Sequence, residues 1–395
     1  MDDIVKRSFY INLKVLRVLG LYVPDKSTYL YKLYGCVLLI CSLVPDPLFG
    51  FIYLARSKES DIMMQAGFNL FLLVAMACFV PKLLPFIVNS GKMKRCIHYM
   101  ETSIIINLNS KQKKIVDDCI RISRRNSIFF FVCVTLDSTT WTSRSLFLQN
   151  AELPMDVWLP FDPTKSTVVF YFTYFLTALA VGYGAYTSGV IDPLIGGLAY
   201  QATSQIKILK NNLQHLGEYT DEELVTRSES ELSGKREVMQ RKIKDCVDHH
   251  NAILNFIKEY EECFAQIAFS QFVAGVIIVC VSCLQLTIVE IVSFDFFAMV
   301  MYLIAMLSEI YLYCHFGTAL YEESNTIGEA IYMGNWYDYD IKSQKDLALL
   351  MERAKRPIVV TCGKILDLSV VTFTMILRRA YSLLAVLENY NIDLN

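Results

Sequence analysis

Charge is scarce in this sequence. Asp, Glu, Lys and Arg make up 19% of its 395 residues, and the formal net charge is only −2. A chain so nearly neutral gives no bulk electrostatic reason to bind nucleic acid, and none is expected as a partner. Enzyme signatures are missing too. There is no His-Glu-x-x-His, no Gly-x-Ser-x-Gly and no phosphate-binding glycine loop, so the sequence reads as non-enzymatic, with no cofactor and no metal expected. The opening Met1-Asp2-Asp3-Ile4-Val5-Lys6-Arg7 is not followed at once by an apolar run, so no cleavable signal peptide is expected. No Asn-x-Ser/Thr sequon occurs. None of the twelve cysteines falls in a predicted extracellular loop, which argues against a disulfide framework.

What is present in quantity is apolar. Hydrophobic residues reach 54%, and mean hydropathy is +0.37. They come in blocks rather than dispersed: Tyr31–Ile40, Phe68–Val80 and Phe272–Val289 carry almost no charge. A helix needs roughly 20 apolar residues to cross the hydrocarbon core, so such blocks read as membrane spans. The expected fold class is an all-α membrane protein with seven transmembrane helices. Spans are predicted over about 31–54, 64–88, 127–148, from Ser166 onward, 265–289, 294–316 and 364–388. Pro45, Pro47, Pro81 and Pro85 mark kinks in the first two.

The distribution of positive charge sets the orientation. The N-terminal segment has Lys6, Arg7, Lys14, Arg17 and Lys26, and the 2–3, 4–5 and 6–7 connections are similarly basic. The 1–2 loop has only Arg56 and Lys58, the 3–4 loop Arg144 and Lys165, and the C-terminal tail none. The positive-inside rule then places the N-terminus in the cytoplasm and the C-terminus outside. That is opposite to a G-protein-coupled receptor, one of two rival readings. The other, a secondary transporter, needs paired broken helices, and no later pair matches the Pro-kinked spans 1 and 2.

The expected organisation follows. Residues 1–30 form a cytoplasmic amphipathic segment and 31–200 hold spans 1–4. Residues 201–263 form a cytoplasmic helical anchor, 264–316 hold spans 5–6, 317–363 form a second anchor segment, and 364–395 hold span 7 with a short tail. Apolar spacing through Leu194, Leu198, Ile206 and Leu209, and through Val238, Ile243 and Val247, prolongs spans 4 and 5 below the membrane. Glu218–Gly234, acidic and serine-containing, reads as a mobile loop.

Few residues carry chemistry. Cys280-x-x-Cys283 lies in an apolar run and reads as small buried residues. Asp248, His249 and His250 beside Cys246 point in different directions on a helix and read as a solvated face. Ionisable groups inside spans are expensive and default to functional roles. Asp137, beside Ser138, Thr139, Thr140 and Trp141, either lines a polar ligand cavity or bonds a neighbouring Ser or Thr. Glu309 reads as an interhelical contact. Arg378 and Arg379 cannot both face lipid cheaply, and a water-filled pore along span 7 would meet that need. Aromatic and Met residues cluster in the outer halves of spans 2, 3, 4 and 6, which suits a small apolar ligand.

Tyr311-Leu312-Tyr313-Cys314-His315-Phe316-Gly317, Glu322-Glu323-Ser324, Ile327-Gly328-Glu329-Ala330-Ile331-Tyr332 and Asn335-Trp336-Tyr337 precede a final span with Phe373-Thr374-Met375-Ile376-Leu377-Arg378-Arg379-Ala380-Tyr381-Ser382-Leu383-Leu384. This stretch resembles the signature region of insect odorant receptors. Leu159-Pro160-Phe161-Asp162, Asn12-Leu13-Lys14 and Leu19-Gly20-Leu21-Tyr22 resemble that family too. The resemblance implies a ligand-gated, non-selective cation channel in the plasma membrane of olfactory sensory neurons. It implies a tuning subunit in a heterotetramer with the co-receptor Orco, embedded in membrane lipid. The ligand is a small, mostly apolar volatile, and the binding residues implied are Phe68, Phe71, Val134, Asp137, Ser138, Trp141, Tyr171, Phe175, Met299 and Tyr302. The last helix would line the pore with Arg378, Tyr381, Leu384, Leu387 and Glu388, and Leu384 would form the constriction. Two features depart from the family. Glu309 stands where an uncharged polar residue is expected, and the pore helix lacks the Gln of the co-receptor. The Thr-Tyr…Gln-Phe signature of the sister gustatory family is absent.

Overall fold

The computed structural model describes residues 4–22, 29–43, 45–56, 73–74, 76, 81–83, 85–103, 108–147, 153–154, 157–163, 166–227, 232–289 and 293–392. Helices dominate these residues. They are α1 (Ile4–Val18), α2 (Tyr29–Leu43), α3 (Pro45–Arg56), α4 (Ser90–Ser103), α5 (Ser110–Phe147) and α6 (Thr167–Gln214), followed by α7 (Leu216–Arg227), α8 (Leu232–Ile288), α9 (Phe294–Asn325), α10 (Ile327–Tyr332), α11 (Ile341–Ala354) and α12 (Val370–Ile392). One two-residue hairpin, β1 (Thr361–Cys362) with β2 (Leu366–Asp367), joins α11 to α12.

By length and composition, four helical stretches among the described residues are enough to cross a bilayer: Tyr29–Tyr53, Thr167–Gln214, Gly234–Leu286 and Phe296–Tyr332. The first is interrupted. Pro45 opens α3 because a proline ring fits a first helical turn, where the missing N–H would be unbonded anyway. Most of the second predicted span lies outside the described residues. α6 and α8 run unbroken for 48 and 57 residues. At 1.5 Å per residue they are about 70 and 85 Å long, more than twice a bilayer core of about 30 Å, so both must project well beyond it.

α1 packs its Val5, Phe9, Leu13 and Leu16 stripe against α5 and α6. It stops at Gly20, whose φ of +76° is costly for any residue with a Cβ. A Cβ there would also meet the Gly35 backbone of α2, so Gly20 serves both the turn and the close approach. α6 is the hub of the bundle. It contacts α1, α2, α5, α8, α9 and α10, and it is buried almost continuously from Thr187 to Ile206. Pro193 lies within that buried stretch. Asn12 of α1 donates to the Val190 carbonyl one turn earlier, at 2.7 Å.

Two expectations need correction. Glu218–Gly234 is not a loop throughout: α7 extends to Arg227 and α8 starts at Leu232. Local acidity does not prevent helix here because the charges find partners on α8, where Glu223 meets Arg241 and Lys242. The Cys246–His250 segment is not a solvated face either. Cys246 and His250 are buried, and half-buried His249 shares a hydrogen bond with Gln205 at 3.2 Å. Only Asp248 of that group is exposed. The helical pattern placed these residues correctly around α8, but a neighbouring helix covers a wider arc than the apolar stripe implied. All the described cysteines are free thiols.

Candidate functional site

Four helices converge on one interior cavity. α5 contributes Val134, Asp137, Ser138 and Trp141, spaced at three and four residues so that all share one face. α9 contributes Tyr302, Ala305, Met306 and Glu309 at the same spacing, and α8 contributes Gln271, Ala274 and Ile278. α6 adds Val181, Ala185 and Ser188, and Met76 and Lys82 close the remaining side. α5 and α6 come close beside it because Gly189 has no side chain. A Cβ there would drive into Val134. The water-accessible volume is about 70 Å³. A buried water needs about 10–15 Å³ by the same measure, so the space takes several waters or a small organic molecule.

The cavity is apolar at one end and charged at the other. Trp141, Val181, Ile278, Tyr302 and Met306 make the apolar wall. At the charged end, Lys82 Nζ lies 2.9 Å from Asp192 Oδ2 and 3.9 Å from Glu309 Oε2. It also donates to Ser188 Oγ. Tyr313 donates its hydroxyl to Asp192 Oδ1 at 2.7 Å, and Gln271 Nε2 donates to Glu309 Oε2 at 2.6 Å. Lys82, Asp192 and Glu309 are all buried. Burying charges without partners costs several kcal/mol or more, and here each has at least one partner.

The structure brings together five of the sequence-nominated ligand residues: Val134, Asp137, Ser138, Trp141 and Tyr302. Met299 is fully buried one turn from Tyr302 but does not line the cavity. Tyr171 and Phe175 do not line it either. They point outward from α6 and are 59% and 62% exposed. The period that carries α6 to the cavity at Val181 and Ser188 turns those two rings to the outside of the bundle. Phe68 and Phe71 lie outside the described residues. Along α12, Arg378 and Tyr381 are exposed, while the side chains of Leu384, Leu387 and Glu388 lie outside what the structure describes. α12 packs on α8 and α9, and its Val371, Met375 and Tyr381 stay uncovered.

Sequence reasoning missed Lys82 and Asp192. A signal was available: each is an ionisable residue inside an apolar stretch, and each adjoins a proline. Lys82 follows Pro81 and Asp192 precedes Pro193. Gln271, Ser188 and Tyr313 carried no comparable signal, because uncharged polar residues are common in helices and only their neighbours give them a role.

A family model described as 7tm Odorant receptor matches residues 62–381. The chain is 23% identical over 402 residues to Odorant receptor Or1 of Anopheles gambiae, covering 97% of this chain and 95% of that protein. It is 22% identical over 323 residues to Odorant receptor 43b of Drosophila melanogaster, covering 80% and 76%. Among solved structures, olfactory receptor OR5 of Machilis hrabei in complex with eugenol superposes with a TM-score of 0.83 over 98% of each chain, at 15% identity. A second structure of that receptor gives the same TM-score over 98% of this chain and 99% of the other. At such identity the likeness speaks for the fold.

Proposed function

This chain belongs to the 7tm odorant receptor family, an all-helical, multi-pass membrane protein family, and on that premise we propose that it is an odorant-tuning subunit of a ligand-gated cation channel. The observation that carries the reading is the cavity at the meeting of α5, α6, α8 and α9, lined by apolar side chains and by a cluster of polar ones. Cavities of that make-up suit a small, mostly apolar molecule with one polar group. The odorant sits against Trp141 and Tyr302.

The last helix supports the channel half of the proposal. α12 carries two adjacent arginines and an uncovered apolar stripe in the single chain. Arginines at membrane depth need water, carboxylate or carbonyl partners, and a central pore shared with other subunits supplies them. The partner subunit is Orco, in a heterotetramer, with cytoplasmic segments around Gly328–Tyr337 as the assembly platform. The N-terminus is cytoplasmic and the C-terminus extracellular, and the site of action is the plasma membrane of olfactory sensory neurons. Odorant binding shifts a closed–open equilibrium through differential affinity for the open state, and Leu384 moves off the pore axis.

Co-expression with Orco in a heterologous cell, with recording of current against a panel of volatiles, tests the reading. The expected result is odorant-evoked cation current that needs both subunits. The reading fails if no volatile evokes current from cells in which a direct Orco agonist does. Epitope tags on each terminus in unpermeabilised cells test the orientation.

A further inference from the structure

The cavity is richer in acceptors than an apolar ligand needs. Among the described residues, three carboxylates (Asp137, Asp192 and Glu309) and a single ammonium (Lys82) stand in or directly behind its wall. Lys82 is committed to Asp192, its nearest carboxylate, which Tyr313 also answers. Glu309 receives one hydrogen bond from Gln271 and lies further from Lys82, at 3.9 Å. Asp137 is different. Its Oδ1 is buried with no hydrogen-bond partner, although the residue lines the cavity. The next residue, Ser138, is 7% exposed, lines the same cavity, and has an Oγ with no partner either. Leaving a buried acceptor unanswered is costly, so the site is built for something that brings donors.

Resting on the odorant-site reading above, we propose that the cavity takes a small amphipathic amine. Its ammonium donates to Asp137 and lies toward Glu309, and its hydrocarbon body packs on Trp141, Ile278 and Met306. Charge decides between ligand classes. With Lys82 matched to Asp192, Asp137 and Glu309 have no cation of their own within 3 Å among the described residues. Burial disfavours their charge until a ligand ammonium answers it, so the ion pair forms as the amine binds. An alcohol supplies one donor and no charge. An ester or ketone supplies only acceptors; it can take a hydrogen bond from the Ser138 hydroxyl but leaves the Asp137 carboxyl unanswered.

The test compares head groups on one carbon skeleton with the unmutated heteromer: hexylamine, hexanol and hexyl acetate, then 2-phenylethylamine, 2-phenylethanol and 2-phenylethyl acetate. In at least one skeleton the amine is expected to be ten times or more as potent as its alcohol and ester. Asp137→Asn is expected to weaken the amine at least tenfold and to change the ester less than threefold, whereas Asp137→Glu keeps the amine preference. A direct Orco agonist confirms that each variant assembles, and the head-group comparison needs no variant at all. Esters or alcohols matching the amine in both skeletons overturn the amine assignment while leaving the odorant-receptor reading intact. So does an Asp137→Asn loss equal for all three heads. If no volatile opens a heteromer that the Orco agonist opens, both readings fall together.

Discussion

Lys82 and Asp192, 110 residues apart in the chain, meet at 2.9 Å in the interior of the helical bundle, with side chains 1% and 0% exposed. This pair joins the segment that follows Pro81 to the hub helix α6, and Tyr313 of α9 ties in from the other side. It is both the polar floor of the cavity and a three-way clamp between elements.

Removing one partner of such a pair leaves a buried charge unanswered. Lys82→Met is expected to cost about 3–5 kcal/mol of stability. The double variant Lys82→Met with Asp192→Asn should recover much of that loss. Thermal unfolding of the detergent-solubilised receptor measures both, and an unshifted Tm for Lys82→Met would show that the contact contributes little.

The aromatic wall predicts ligand effects, read against the response to a direct Orco agonist because Trp141 and Tyr302 are also buried in the core. Trp141→Ala and Tyr302→Ala should each weaken odorant potency by about tenfold or more, equivalent to at least about 1.4 kcal/mol of binding. Dose–response curves on the heteromer decide it. If both variants respond like the parent, the ligand does not use this cavity.

At the proposed gate, Leu384→Ala should raise current in the absence of odorant, because a smaller apolar ring is easier to wet. Baseline current and single-channel openings in the heteromer report this. Unchanged conduction and gating would remove Leu384 from the pore.

Acid should loosen the N-terminal half of α8. Burial, with His250 as a second cause, pushes the His249 imidazole down to about 4, and burial with nearby Arg353 also lowers His250. Between about pH 4 and the ordinary value of 6.5 the unfolded chain therefore binds more protons than the folded one. The stability from keeping these rings neutral is fully present above pH 6.5 and declines as pH falls toward 4. Tm should drop from pH 7 to pH 5, and the drop should be smaller in His249→Gln. An equal drop in both proteins would assign the acid sensitivity elsewhere.

Much of this protein was legible in one dimension. Blocks such as Phe272–Val289 announce spans because hydrocarbon excludes charge and demands length, and both are properties of a local stretch. The resemblance from Tyr311 to Leu384 named the family that the family model also matches. The cavity was partly legible. Val134, Asp137, Ser138 and Trp141 share one face of α5 by spacing alone, so finding the cavity with one of them finds the rest.

What spacing cannot give is which way a face points. Tyr171 and Phe175 have the right chemistry on the right helix, yet α6 turns them outward while Val181 and Ser188 face in. The same limit hid Lys82 and Asp192. Each looks anomalous alone, and only the packing of α6 against its neighbours brings the two charges within 3 Å and makes them a pair. Hydrophobic length is additive along the chain, so the sequence determined that this is a membrane bundle. Charge compensation is a relation between distant residues, so only the tertiary structure decided what lies at its centre.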